Sequence, residues 1–222
     1  YDWVNGRPKR KSLAEATALV AKAGYPNGRD AQSGKPLILY FDTAGSGPDD
    51  KAGFDWLRKQ FAKIDIQLVI RATDYNRFQD KMLKGTAQLF QWGWHADYPD
   101  PENFFFLLYG ANAKVGKNGE NATNYSSPAF DRLFDQMRNM ENGVNRQAII
   151  DQMVEIVRHD APWVAGFHPK SFGLYHAWYA NIKRNDMSYN TLKYMRLNPT
   201  LRAQKRHEWN HPVWWPVGVI GA

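Results

Sequence analysis

The sequence contains no cysteine. That excludes disulfides, thiolate metal sites and cysteine nucleophiles. No apolar run approaches the roughly 20 residues needed to span a bilayer. The apolar residues 213–220 fall short of that length. The chain does not open on methionine and shows no secretory leader, so we expect a processed product or a piece of a longer protein. Signatures of catalysis are also missing. The six histidines form no H-E-x-x-H pair, and no G-x-S-x-G elbow is present. Gly45-Ser46-Gly47 lacks the Lys-Ser/Thr of a phosphate loop, so these glycines read as a strand-to-helix turn.

What is present is enough for a folded body. A chain of 222 residues suits one large domain or two small ones, and its apolar and aromatic content supports a real core. The net charge of +7 is concentrated late. Between residues 181 and 210, Lys183, Arg184, Lys193, Arg196, Arg202, Lys205 and Arg206 face only Asp186 and Glu208. With Trp209 nearby, this keeps open a nucleic-acid or membrane-surface module. The charges are spread and no nucleic-acid motif accompanies them, so a solvated basic surface is the reading preferred.

The hydrophobic periods alternate. Ser12 and Glu15 form a capping box ahead of an apolar stripe, Leu13, Ala16, Leu19, Val20 and Ala23, which Gly24 and Pro26 terminate. Residues 36–41 read as a strand, and 42–50 as a glycine-rich loop. Phe54, Leu57, Phe61 and Ile64 mark a helix, and 66–70 a second strand. Asp74 caps a helix carrying Phe78, Met82 and Leu83 that ends at Gly85, and 87–92 is the third strand. Such crossovers predict parallel pairing, with ligands bound beyond the carboxyl ends of the strands. Residues 104–109 read as a buried helical turn and 110–123 as a polar, mobile stretch. Two glycosylation sequons, at Asn121 and Asn124, are treated as chance. Ser127 and Pro128 start a helix with Phe130, Leu133, Phe134 and Met137 inward. Asp131 and Asp135, four apart on it, suit a cation but read as a solvated face. Residues 145–160 form a further helix with Ile149, Met153, Ile156 and Val157 inward. It ends at Pro162, and strands are predicted over 163–167 and 192–197.

The third strand runs into Gly93-Trp94-His95-Ala96-Asp97-Tyr98-Pro99-Asp100-Pro101-Glu102-Asn103-Phe104. Two prolines stiffen this loop and keep it out of helix and strand. An indole, a phenol and three carboxylates at a strand end mark a place to bind something. With the 42–50 loop it forms the expected cleft wall. Asp97, Asp100 and Glu102 also offer the acids of a carboxylate hydrolase, but they share one loop rather than facing each other across a substrate.

The Gly-Trp-x-Ala-Asp-Tyr-Pro-Asp-Pro-x-Asn-Phe loop resembles the signature of the family 5 extracellular solute-binding proteins, the dipeptide-, oligopeptide- and nickel-binding receptors of bacterial ABC importers. Three further segments resemble the family in the same order: Ala23-Gly24-Tyr25-Pro26-Asn27-Gly28, Tyr125-Ser126-Ser127-Pro128-Ala129-Phe130-Asp131 and Asp160-Ala161-Pro162. The resemblance implies the α/β C-terminal lobe of a type II periplasmic-binding-protein fold, a mostly parallel sheet flanked by helices. It implies residues 1–192 as that lobe and 193–222 as a segment returning toward a missing N-terminal lobe. It further implies a periplasmic location, a peptide or similar small solute as ligand and an inner-membrane ABC permease as partner. No cofactor, nucleic acid or catalysis is expected. By the same resemblance, Asp97 would pair with a peptide's terminal ammonium, Trp94 would line the pocket, and Tyr98 would add a hydroxyl. His95 and Gln91 complete the candidate set. At Gln91 some oligopeptide-binding members carry arginine, so this position departs from their pattern.

Overall fold

The computed structural model describes residues 2–170, 172–183, 187 and 190–210. The apolar run 213–220, and Arg184 and Asp186 of the basic stretch, lie outside the described residues. Two compact units are present. The first spans residues 2–95 and 99–163; the second spans 96–98 and the described residues from 164 onward.

The first unit begins with a small antiparallel pair, β1 (Asp2–Val4) and β2 (Arg7–Lys9). Helix α1 (Leu13–Lys22) starts at the expected capping box: Ser12 Oγ accepts the Glu15 N–H at 3.1 Å, and Glu15 accepts the Ser12 N–H at 2.7 Å. Its apolar stripe does not become core. Leu13 and Leu19 are 57% and 56% exposed, because only the short turn Pro26–Gly28 packs closely beside the helix.

The predicted alternation is realised. β3 (Ile38–Thr43), α2 (Pro48–Ala62), β4 (Gln67–Ala72), α3 (Tyr75–Lys84) and β5 (Leu89–Phe90) follow in sequence. The three strands make one parallel sheet in the order β4–β3–β5. The sheet is covered on both faces. Phe54 of α2 meets Phe41 at 5.9 Å, while α3 buries Phe78 and Met82. Phe78 in turn presents an edge to Phe90 and to Trp92. Asp74 and Gly85 bound α3 as expected, with Asp74 accepting the Arg77 N–H and Gly85 at φ +63°.

All three strands differ in their bounds from the sequence pattern; β4 spans Gln67–Ala72 where 66–70 was expected. β3 runs on to Thr43, so Asp42 belongs to the strand and not the loop, because β4 offers partners out to Ala72. The Asp42 carboxylate is tolerated there, although almost wholly buried, by an ion pair with Lys81 of α3. β5 is cut to two residues instead of six. At its start the Gln88 side chain, not a strand carbonyl, accepts the Tyr40 N–H at 2.9 Å.

Beyond the signature loop come α4 (Glu102–Phe105) and a 3-10 turn, Phe106–Leu108, which is the buried turn expected there. The 110–123 stretch, expected to be mobile, is knitted together by hydrogen bonds. Asn121 is fully buried; its side-chain amide donates to the Tyr109 and Tyr125 carbonyls, and its backbone pairs with Asn112 and Lys114. Burial also removes Asn121 as a sugar acceptor in the folded state. Helices α5 (Pro128–Met137) and α6 (Val144–Asp160) then form a hairpin. Leu108, Phe130, Phe134, Met137 and Met153 make its core, with Ile149, Ile156 and Val157 packed around them. Asp135 is exposed, as expected of a solvated face, while Asp131 is half-buried, and both do more than meet water. They tie the preceding turn to α5, Asp131 accepting the Gly110 N–H at 2.9 Å and Asp135 the Tyr109 hydroxyl at 3.0 Å.

The strand expected over 163–167 does not form. Val164 is 91% exposed and Phe167 73%, and no described strand lies alongside to satisfy a ladder. In the second unit, residues 192–197 also depart from a single strand. Thr191–Tyr194 is a helical turn (α7), and only β7 (Arg196–Leu197) pairs, antiparallel to β6 (Tyr179–Ala180). A two-residue partner leaves nothing for the earlier residues to bond. Helix α8 (Pro199–Trp209) follows, capped by Asn198. Trp178 is buried in this unit, stacked on His176 with ring centroids 4.0 Å apart.

Candidate functional site

Because β3 and β5 are parallel neighbours, the loops that leave them emerge at one edge of the sheet. The first, residues 44–47, is shaped by Asp50. Its carboxylate accepts the Gly47 N–H at 2.9 Å and sits where a Cβ on Gly45 would fall, 2.8 Å from the carboxyl carbon. Thr43 Oγ1 takes the Gly45 N–H. The space a phosphate cradle would need thus holds a carboxylate of the chain itself, and the glycines serve the turn into α2.

The second loop carries the candidate residues. Trp94 is half-buried. Its indole N–H donates to Asn103 Oδ1 at 3.0 Å, and its ring meets Phe106 edge-on with centroids 5.4 Å apart. With the indole proton engaged, Trp94 offers a ligand only ring surface. Asn103 is buried at the start of α4, whose backbone begins by donating from Asn103 N to the Asp100 carbonyl. Gln91 and His95 are exposed and belong, with Trp94, to the first unit. Asp97 and Tyr98, both exposed, belong to the second.

Asp100 has a different role from an acid–base residue. Its two oxygens receive the two terminal nitrogens of Arg146, each at 2.7 Å, and Oδ1 also accepts the Glu102 N–H at 2.8 Å. The Arg146 guanidinium holds the Asp100 carboxyl below its usual range, outweighing the opposing effect of burial. Sequence reasoning missed Arg146. It lies in the first turn of α6 yet is 3% exposed, and a cation on an amphipathic helix carries no local sign that it will be buried. The burial of Asn103 and Asn121 was missed because their partners, the Trp94 indole and the Tyr109 and Tyr125 carbonyls, are set by the tertiary fold and not by local pattern.

The Asp100–Arg146 pair fixes a pH dependence. Asp100 has a folded pKa below its unfolded one. Its stabilising contribution is therefore present above the unfolded pKa, about 4, and is lost as pH falls through the depressed folded value. In thermal melts the gap between wild type and Asp100→Asn should be widest near neutrality and close progressively below about pH 4. A gap independent of pH would remove the ionised pair from the account.

Other recesses lie elsewhere. An open groove of about 820 Å³ between α5 and α6 is walled by Leu133, Ile156, Arg132, Asp151 and Glu155, and reads as the solvated back of the hairpin. In the second unit, Arg202, Arg206, His176, Trp178 and Trp209 line a cleft of about 420 Å³, where two of the late basic residues meet aromatic rings. Among the described residues, no helix is long and apolar enough to cross a membrane, and no cluster of histidine and acidic side chains could hold a metal ion.

Comparison with known proteins places this geometry in context. Residues 1–116 match the family described as bacterial extracellular solute-binding proteins, family 5 Middle. Di/tripeptide-binding protein 4 of Pseudomonas aeruginosa (strain UCBPP-PA14) is 26% identical over 77% of this chain and 29% of its own length. Heme-binding protein A of Haemophilus influenzae is 26% identical over 71% of this chain and 28% of its own. Among solved structures, the ABC transporter-associated periplasmic binding protein DppA from Helicobacter pylori, in complex with the peptide STSA, superposes with a TM-score of 0.59. It is 26% identical and covers 73% of this chain and 30% of that one. The chain therefore spans under a third of the length of these relatives.

Proposed function

Since the chain belongs to the family 5 bacterial extracellular solute-binding proteins, whose members are binding proteins rather than enzymes, we propose that it is part of the substrate-binding component of an ABC importer. On this reading the protein works outside the cytoplasm, in the periplasm, and delivers a peptide or similar small solute to an inner-membrane permease. It works by closing two lobes on the ligand, residues 1–192 forming one lobe and 193–222 leading toward the other. The short span relative to its relatives supports the expectation of a second lobe.

The observation that carries the reading is the placement of the signature loop. It leaves the carboxyl edge of a parallel sheet, where open α/β folds bind ligands, with the Trp94 indole proton already engaged. A ring face without a free donor favours sequence-tolerant apolar contact. Asp97 supplies the charge that a peptide's terminal ammonium requires, Tyr98 a hydroxyl, and His95 and Gln91 flanking polar groups. The names of the relatives cover both short peptides and heme, so the ligand class rests on the role of Asp97.

The test is calorimetric titration of the full-length receptor with di- to tetrapeptides. Asp97→Ala should weaken binding by roughly 30-fold or more, the cost of removing one partner of a desolvated charge pair. N-acetylating the peptide should have the same effect on wild type and add little in the variant. Equal affinity for free and acetylated peptides would remove Asp97 from the amine site. Binding of a non-peptide solute untouched by Asp97→Ala would keep the receptor and change the ligand.

The alternatives have less behind them. The described basic residues on α8 include Lys205 paired with Glu208, and no nucleic-acid motif accompanies them. Hydrolysis by loop carboxylates loses a member of its set, because Asp100 is committed to Arg146.

A further inference from the structure

We propose that Arg146 is a positioning residue that sets the orientation of the Trp94 indole through Asp100 and Asn103. The proposal rests on reading the 93–104 loop as the ligand-binding loop. Arg146 has no exposed guanidinium edge with which to meet a ligand; it is 3% exposed. All five of its N–H donors are nevertheless accounted for. Nε donates to the Met137 carbonyl at 3.1 Å. One terminal nitrogen serves Asp100 and Asn142 Oδ1, and the other serves Asp100 and the Met137 sulfur. A saturated, buried fork of this kind has one orientation, and it hands that orientation to Asp100.

From Asp100 the order passes along a short path. Asp100 Oδ1 holds the Glu102 N–H, and its carbonyl holds the Asn103 N–H, so the first turn of α4 is pinned at both points. Asn103 sits in that turn and accepts the Trp94 indole proton. Helix α4 is only four residues long and gains little stability of its own, so its start depends on what anchors it. The hairpin core supplies the anchor, because Met137, which accepts from Arg146, is fully buried in it. A rigid helical hairpin thus orients a ring at the sheet edge, and the ring meets ligand already fixed in place.

Two variants separate positioning from bulk stability. Arg146→Lys keeps the charge but cannot span both carboxylate oxygens. Asp100→Asn keeps the shape and weakens the fork. The first readout is the indole N–H cross-peak of Trp94 in nitrogen–proton correlation spectra, assigned by its loss in Trp94→Phe. Both variants should move it toward the position of a solvated indole and speed its exchange with water. Met153→Leu, a core change in the same hairpin that leaves the fork in place, should not. The second readout is peptide titration of the full-length receptor, where both variants should weaken binding by roughly tenfold. A Trp94 cross-peak that stays put in both variants, or moves equally in Met153→Leu, overturns the proposal. A moved cross-peak with unchanged peptide affinity overturns the link to binding while leaving the relay. If wild type binds no peptide, the functional reading fails and the cross-peak still decides the relay.

Discussion

Replacing Phe134 by alanine should cost about 4 kcal/mol of unfolding free energy, near the middle of the range for a buried phenylalanine. Phe134 is 1% exposed and stands at the centre of the hairpin core, between Leu108, Phe130, Met137 and Met153. Its ring lies 4.6 Å from that of Tyr109, whose hydroxyl is in turn fixed by Asp135. Deleting the ring removes transfer energy and leaves a cavity that two helices and a buried turn cannot all close around. In a chain of this size the loss should appear as a drop in melting temperature of roughly 10 °C. Phe134→Leu, which keeps part of the buried volume, should lose less than Phe134→Ala. Denaturant unfolding followed by circular dichroism measures this directly, and a loss below about 1 kcal/mol would move the core away from the hairpin.

The second large effect is expected at a turn. Gly28 ends the Ala-Gly-Tyr-Pro-Asn-Gly segment with φ +65°, and a Cβ there would lie 1.9 Å from the Asp65 carbonyl oxygen. Alanine must both strain the left-handed backbone and push aside the main chain that leads into β4. The backbone cost alone is about 1 kcal/mol, and forced displacement of a main-chain carbonyl raises the total to roughly 3 kcal/mol or more. Gly34 supplies the control. It has almost the same φ, +68°, and nothing within 4 Å of its would-be Cβ, so Gly34→Ala should show the backbone cost by itself. Melting curves of the two variants side by side isolate the collision. Equal losses would mean that the close approach to Asp65 relaxes freely.

Much of the fold was legible because its causes are local. Ser12, Asp74 and Ser127 each cap the helix that the sequence assigns to them, since a cap is a side chain bonding to a backbone N–H two or three residues away. The parallel sheet followed from the alternation of apolar periods and was found with the predicted strands paired. What was not legible depends on residues far apart. Residues 163–167 have strand-like composition, but a strand exists only if another offers it bonds, and among the described residues none does. Gln88 shortens β5 by putting a side chain in place of a main-chain carbonyl, which no hydrophobic pattern reveals.

The candidate loop divides in the same way. Its position at a sheet edge and its chemical content could be read from Gly93 to Phe104. Its internal order could not, because it is imposed from α6. Asp100 looked like one of three loop carboxylates until its partner appeared 46 residues later in the chain. Asn121 stood out only as part of a chance sequon, and nothing local showed that its amide lies between two carbonyls. Buried polar side chains carry no period, and their partners must be found in space.

The hairpin has a bearing on how the chain acquires its structure. α5 and α6 are joined by the short connection 138–143, so their shared core closes a small loop at low entropic expense. The sheet requires β3 to meet β5 across 48 positions of chain, Phe41 pairing with Leu89 and Asp42 with Phe90. Parallel pairing at that separation is slow compared with helix docking. The hairpin can therefore serve as an early platform, with Arg146 already in its first turn when the 93–104 loop arrives. The part of the chain that orders the loop would then be assembled before the sheet edge from which the loop projects.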